Sequence, residues 1–268
     1  VAGVFDLLMR WREGAIAYPP GVLRKLVVMG IIGNTLYQLC FTVGLSMTTA
    51  ANSSLMIATT PALVAFAGAA LGIEKLTRNI LIGIGMAIGG VVLVLSARGL
   101  NFTPERLIGD LLPLGAAICW TYYTLGVRTL GGELSPLRIT AMTMVTGVPG
   151  LLLLATPELL SVRWATIDIN AWAGLAYASL LGLVVAYVLW NNSVRVVGSN
   201  RTAIYGCAIP LVASLVAWPV LGELPTPLQG LGAILIVTGV LISRRGWFED
   251  VAQTVEGTEP QNRSAKKN

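Results

Sequence analysis

Apolar residues run in long blocks along this chain, broken by short clusters of Arg, Lys, Pro, Gly and Thr and not by the two-residue alternation of a half-buried strand. Eight blocks of about 16 to 20 residues are long enough to cross roughly 30 Å of hydrocarbon as helices. They fall near 26–45, 53–72, 80–97, 111–127, 139–155, 172–190, 203–221 and 228–243. The stretch from Val1 to Met9 is apolar apart from Asp6 and leads into Arg10, Arg12 and Glu13, which reads as the tail of a further helix. From Gly246 onward the chain is polar and mixed in charge, the composition of a disordered tail.

The blocks are two copies of one unit. Pro61 and Pro210, Glu74 and Glu223, Thr77 and Thr226, Gly83 and Gly232, and Gly90 and Gly239 each lie 149 positions apart. In so apolar a chain, a repeat of that length points to a secondary transporter built from duplicated helical halves. The units are 1–99 and 107–245, followed by the tail 246–268. Applying the same offset to the helix starting near Leu111 places its first-copy partner about 40 residues upstream of Val1, and 139–155 pairs with the helix ending by Met9. The expected whole is ten helices, five per copy, with the first and most of the second absent here and about eight complete. An odd number of spans per copy turns the second copy upside down relative to the first.

Charge gives an independent reading of that topology. If the loop after Met9 is cytoplasmic, all of the 18 basic residues except Arg98, Arg106 and Arg163 fall on the cytoplasmic side, the C-terminal tail included. Matched loops differ in the same sense: Glu74 is followed by Lys75 and Arg78, Glu223 by Leu224 and Pro225. The chain is therefore placed in the plasma (inner) membrane as a multi-pass protein with its C-terminus in the cytoplasm. Composition agrees, with 55% hydrophobic and 12% charged residues and a mean hydropathy of +0.75, where a soluble domain carries roughly 25% charged residues. The net charge of +5 is scattered through short loops, so the bilayer and not nucleic acid is the expected partner. Cys40, Cys119 and Cys207 all lie inside apolar runs and read as small buried hydrophobes.

Thr49-Ala50-Ala51-Asn52, then Thr60-Pro61, then Leu71-Gly72-Ile73-Glu74-Lys75-Leu76-Thr77 resemble the first half of the drug/metabolite transporter superfamily, EamA-like branch. Gly109-Asp110-Leu111, Cys119-Trp120, Ala186 to Asn191, Ile209-Pro210 and Leu221 to Leu224 resemble the second EamA unit. The resemblance spans about Val22 to Ser243 and rests on the order and spacing of these segments. It implies an all-α polytopic membrane protein of two inverted five-helix EamA-type repeats that moves small metabolites, amino acids or drugs, commonly outward.

Polar groups at lipid depth are costly unless they pair or face water, so their placement points to a pathway. Asn34, Tyr37, Gln38 and Phe41 share one helical face, as do Tyr187, Trp190 and Asn191. The offset pairs Gln38 with Tyr187 and Phe41 with Trp190, so symmetry-related faces carry amide and aromatic groups suited to a small-molecule substrate held between the halves. Trp120, Tyr123 and Thr124 form a third stripe. Pro61 and Pro210 sit in mid-helix, where the missing N–H frees a carbonyl, with Thr59, Thr60 and Ser214 close by to line the break. The alternative is structural: an interfacial aromatic belt, amides joining helices, prolines that only kink. Gly85 and Gly89 form a small-xxx-small face for close helix contact.

Absences narrow the chemistry. Without His there is no His proton relay, His metal site or Ser-His nucleophile. No phosphate-binding Gly-Lys-Ser/Thr loop occurs, and no Asp or Glu lies deep within a span. No enzyme activity, cofactor or metal is expected. The reading is a secondary transporter of uncharged or zwitterionic small metabolites that works by alternating access, with efflux as the direction the family resemblance implies. A passive facilitator or channel of the same fold is the alternative, ahead of a membrane scaffold or intramembrane enzyme.

Overall fold

The computed structural model describes the chain apart from residues 15–17, 49, 97–106, 210, 213–214, 216–225 and 257–268. The described residues are built of helices: α1 (Ala2–Glu13), α2 (Pro20–Met47), α3 (Ala50–Ile57), α4 (Thr60–Ala70), α5 (Arg78–Ser96), α6 (Leu107–Leu130), α7 (Pro136–Ser161), α8 (Ile169–Val197), α9 (Ser199–Tyr205) and α10 (Pro227–Glu256). Proline opens α2, α7 and α10, where its fixed φ suits the first turn and its missing N–H is not needed. Among the described residues, five runs are long and apolar enough to cross a bilayer: α2, Ser53–Ala70 through α3 and α4, α5, α7 and α8. This is an integral membrane protein.

The duplication reappears in the backbone. Shifting α2 by 149 lays it over α8 to within a residue, and the same shift carries the start of α5, Arg78, onto Pro227 at the start of α10. Both long helices also widen into a π-helical turn at matching register, Ile31–Leu36 in α2 and Ala178–Val185 in α8. Such turns are rare and concentrate at functional sites.

The mates α5 and α10 make the most extensive helix–helix contact among the described residues. A Cβ built on Gly83 would lie 2.6 Å from the carbonyl oxygen of Gly239, and one on Gly90 would lie 2.6 Å from that of Gly232. The reciprocal distances, from Gly239 to the Gly83 carbonyl and from Gly232 to the Gly90 carbonyl, are also 2.6 Å. Residue number rises along one helix as it falls along the other, so the mates run antiparallel. Each glycine meets the other glycine's mate, which is the contact pattern of a two-fold axis between inverted halves. Gly85 and Gly89 do not make this contact, contrary to the small-xxx-small expectation; a Cβ at either meets nothing within 4 Å. They lie on the face of α5 turned away from α10.

Elsewhere the packing is uneven between the copies. The helix α2 is covered by α6 and α7, whereas α8 leaves Trp172, Leu175, Leu180 and Leu181 exposed. At its end, α1 is tied to α7 by the Glu13 carboxylate, which accepts from Ser135 Oγ and from Arg138 Nε, each at 2.6 Å.

The crossing yields a discriminating pair of substitutions. Gly90→Val forces a side chain into the Gly232 backbone and is expected to lower membrane abundance and the thermal-unfolding midpoint in detergent by an amount typical of overpacking, about 1–3 kcal/mol or more. Gly85→Val on the open face is expected to leave both unchanged. Equal behaviour of the two variants would show that the glycine crossing does not hold the halves together.

Candidate functional site

A cavity of about 410 Å³ lies between the two copies, within the size range of sites for small molecules. Its wall draws on both repeats: Tyr37 of α2, Thr60 and Pro61 of α4, Trp120 of α6, and Tyr187 and Trp190 of α8. Ser54, Val94 and Leu95 carry the lining toward the end of the molecule opposite the basic loops, and Ala203 closes it toward the basic end.

Trp120 is the hub of the aromatic wall. Its ring lies 5.3 Å from Tyr37, 5.2 Å from Tyr123, 5.5 Å from Tyr187 and 5.4 Å from Trp190. The Tyr187 contact is edge-on, at an interplanar angle of 87°, and all four separations fall in the range favoured by aromatic quadrupoles. Phe41 stacks on the far side of Tyr37 at 6.0 Å, so it braces the wall without reaching the cavity.

Behind the aromatics sits a buried polar layer. Asn34, in the π-turn of α2, donates from Nδ2 to the Thr143 carbonyl at 3.0 Å and accepts at Oδ1 from the Tyr187 hydroxyl at 3.2 Å. Asn191 donates to the Tyr123 hydroxyl at 2.8 Å and to Thr140 Oγ1 at 2.6 Å. Tyr123 and Asn191 are fully buried, so their part is to position the wall and not to touch a solute. Placing these bonds in a low-dielectric interior makes them costly to lose.

The break before Pro61 is resolved locally. Pro61 has no N–H for the Ile57 carbonyl, and the Thr60 hydroxyl donates to that carbonyl instead, at 2.6 Å. The Thr59 hydroxyl does the same for Met56, also at 2.6 Å. Thr60 and Pro61 thereby present irregular backbone to the cavity, where a membrane protein tolerates it.

Of the residues singled out in the sequence, Tyr37, Thr60, Pro61, Trp120, Tyr187 and Trp190 come together on the wall, and Asn34, Tyr123 and Asn191 stand behind it. Gln38 is not among them: it is exposed and bonded to Thr42 Oγ1 at 3.3 Å. One residue is about 100° of helix rotation, which is enough to turn Gln38 off the face that Tyr37 presents. Pro210 and Ser214 lie outside the described residues. The wall also includes Ala58, Gly182, Ala186, Ala203 and Gly206, small residues whose lack of bulk opposite the aromatics leaves the space open. Small residues facing a cavity carry no polarity signal, and only their position across from aromatic stripes marks them.

The family model for the EamA-like transporter family matches residues 1–96 and 107–245, one match for each copy. The chain is 28% identical over 232 residues to the uncharacterized transporter YyaM of Bacillus subtilis (strain 168), covering 86% of this chain and 73% of that protein. It is 28% identical over 226 residues to a probable terminal-alkyne amino-acid exporter of Streptantibioticus cattleyicolor, covering 83% and 73%. A solved crystal structure superposes with a TM-score of 0.76 at 20% identity, over 90% of this chain and 83% of its own, a likeness of fold.

The polar layer predicts a clear ranking of variants. Asn191→Ala removes the amide donor to the buried Tyr123 and Thr140 hydroxyls and is expected to cost on the order of 1–3 kcal/mol. Gln38→Ala, at an exposed position, is expected to stay within about 0.5 kcal/mol of the parent. Thermal unfolding in detergent reads the difference, and a larger loss at Gln38 than at Asn191 would contradict this arrangement.

Proposed function

The chain belongs to the EamA-like transporter family, and we propose that it is a secondary transporter whose two inverted halves alternate access to the cavity around Trp120. The observation that carries this reading is the composition of the cavity wall. Among the described residues it has aromatic rings, hydroxyls and small apolar groups, and no charged side chain. A net charge brought into such a site would meet no counter-charge, and burial of an unpaired ion is heavily penalised.

The substrates favoured are therefore uncharged or zwitterionic metabolites with an apolar or aromatic part able to stack on Trp120, Tyr187 and Trp190. The name of the Streptantibioticus relative, an amino-acid exporter, fits that chemistry and favours amino-acid-like compounds moved out of the cell. The basic loops, rich in Arg and Lys, are placed on the cytoplasmic side of the plasma membrane, and the C-terminal helix ends there. Because no carboxylate lines the described wall, a passive facilitator of the same fold is the second reading.

Proteoliposomes separate the two. A panel of neutral amino acids and their apolar derivatives is screened for counterflow, in which unlabelled solute inside drives transient accumulation of labelled solute. A carrier shows overshoot with at least one aromatic or apolar member, and Trp120→Ala reduces it roughly ten-fold or more at equal protein abundance, as expected for loss of a central stacking contact and its neighbours. Flux without overshoot, linear in concentration, would replace the carrier with a channel; no flux of any member would remove the substrate class.

A further inference from the structure

Beneath the cavity, toward the basic end, the two copies are joined by one carboxylate. Glu74, in the loop after α4, accepts from the backbone N–H of Ser199 at 2.6 Å and of Asn200 at 3.0 Å, one bond to each oxygen. Its Oε1 also lies 3.2 Å from Arg128 Nε at the end of α6. Arg128 reaches on to the Arg195 carbonyl at 3.0 Å, so one side chain of the first copy holds two segments of the second and, through Arg128, is connected to a third. Gly198, with φ +96°, makes the turn between α8 and α9, and a Cβ there would sit 2.9 Å from Glu74 Oε1. Only glycine lets the carboxylate come so close.

Between this contact and the cavity lies a thin dry layer. Val64 of α4, Leu125 of α6 and Ala203 beyond α8 are buried against one another, and Ala203 is also the cavity floor. Next to that layer are polar groups that the closed arrangement leaves unsatisfied. Asn200 is 1% exposed, with neither side-chain oxygen nor nitrogen bonded among the described residues, and Ser199 Oγ and Thr124 Oγ1 are in the same condition. Buried amides and hydroxyls without partners are unfavourable in a stable core. They are suited to a passage that is dry in one state and hydrated in another.

We propose that Glu74 and Arg128 form a latch that shuts the basic end of the cavity, and that Asn200, Ser199 and Thr124 line the route that opens when it parts. The structure is then the state closed at the basic end, with the cavity reaching toward the opposite end through Ser54 and Val94. Releasing the latch frees α9 from the loop after α4, separates the Val64–Leu125–Ala203 layer and lets water reach the unpaired groups. This inference rests on the transporter reading given above and adds to it the device that sets which end is open.

The test is accessibility, which needs no substrate. A single cysteine is placed at Ile209, an exposed residue of the cavity wall, after Cys40, Cys119 and Cys207 are replaced by Ala or Ser. Sealed vesicles of each orientation are treated with a membrane-impermeant maleimide, and a cysteine at the exposed Lys75 identifies those with the basic end outward. With Glu74 intact, Ile209→Cys is expected to react slowly from the basic end. Glu74→Gln, which keeps the shape and loses the charge, is expected to raise that rate at least ten-fold, and Arg128→Gln, which leaves the backbone bonds, about three-fold. Rates within two-fold of the parent for both variants, in protein inserted to normal abundance, would overturn the latch. If Glu74→Gln fails to insert, the Arg128→Gln rate alone decides. Unchanged rates in a protein that performs counterflow reject the latch only, whereas the expected rise in a protein without counterflow supports the latch and rejects the carrier reading for the solutes tested.

Discussion

Backbone meeting backbone at four glycines is the contact on which the arrangement of this protein turns. Lipid tails are as apolar as leucine, so helices in a bilayer gain little from hiding apolar surface from one another and depend on close packing instead. Gly83, Gly90, Gly232 and Gly239 remove the side chains that would keep α5 and α10 apart, and each approaches a carbonyl of the other helix. Because the four are two pairs of repeat mates, the contact is closest when one copy is turned over relative to the other. Everything between the copies, the cavity included, inherits that axis.

The cavity itself comes from large residues placed opposite small ones. Large rings gather on α2, α6 and α8, while Ala58, Gly182, Ala186 and Gly206 face them with almost no volume. Buried hydrogen bonds through Asn34 and Asn191 fix the rings from behind, so the wall is set before a solute arrives and less ordering remains to oppose binding. The described wall carries no charged side chain.

Much of this was legible in the sequence, because glycine, proline and glutamate mark turns, breaks and close contacts whose spacing survives duplication. The offset of 149 located the mates, predicted the inversion and placed most of the spans. The aromatic stripes were legible as well, and Tyr37, Trp120, Tyr187 and Trp190 do meet. Other features were hidden for physical reasons. Gly85 and Gly89 satisfy the same spacing rule as a true contact face, and spacing alone does not say which face of α5 meets a partner; the duplicated pair Gly83 and Gly90 carried that signal. Gln38 and Tyr187 are mates by number, yet the copies are covered differently, and a rotation of one residue puts Gln38 outside and Tyr187 at the cavity. The π-turns leave no trace in hydropathy. The contact of Glu74 with Ser199 and Asn200 joins residues 125 and 126 positions apart, beyond the reach of any local pattern.

The central claim is that two inverted halves move about the axis held by the glycine crossing, so that one end of the cavity closes as the other opens. Spin-label distances test this most directly, measured across the basic end between Lys75 and Arg195 and across the opposite end between Ser46 and Thr226, all exposed positions in different copies. Under conditions that populate two states, saturating transported solute or Glu74→Gln, the account predicts anticorrelated changes: the basic-end distance lengthens in the same fraction of molecules in which the opposite-end distance shortens. Both distances moving together, or neither moving while solute is carried, would contradict it.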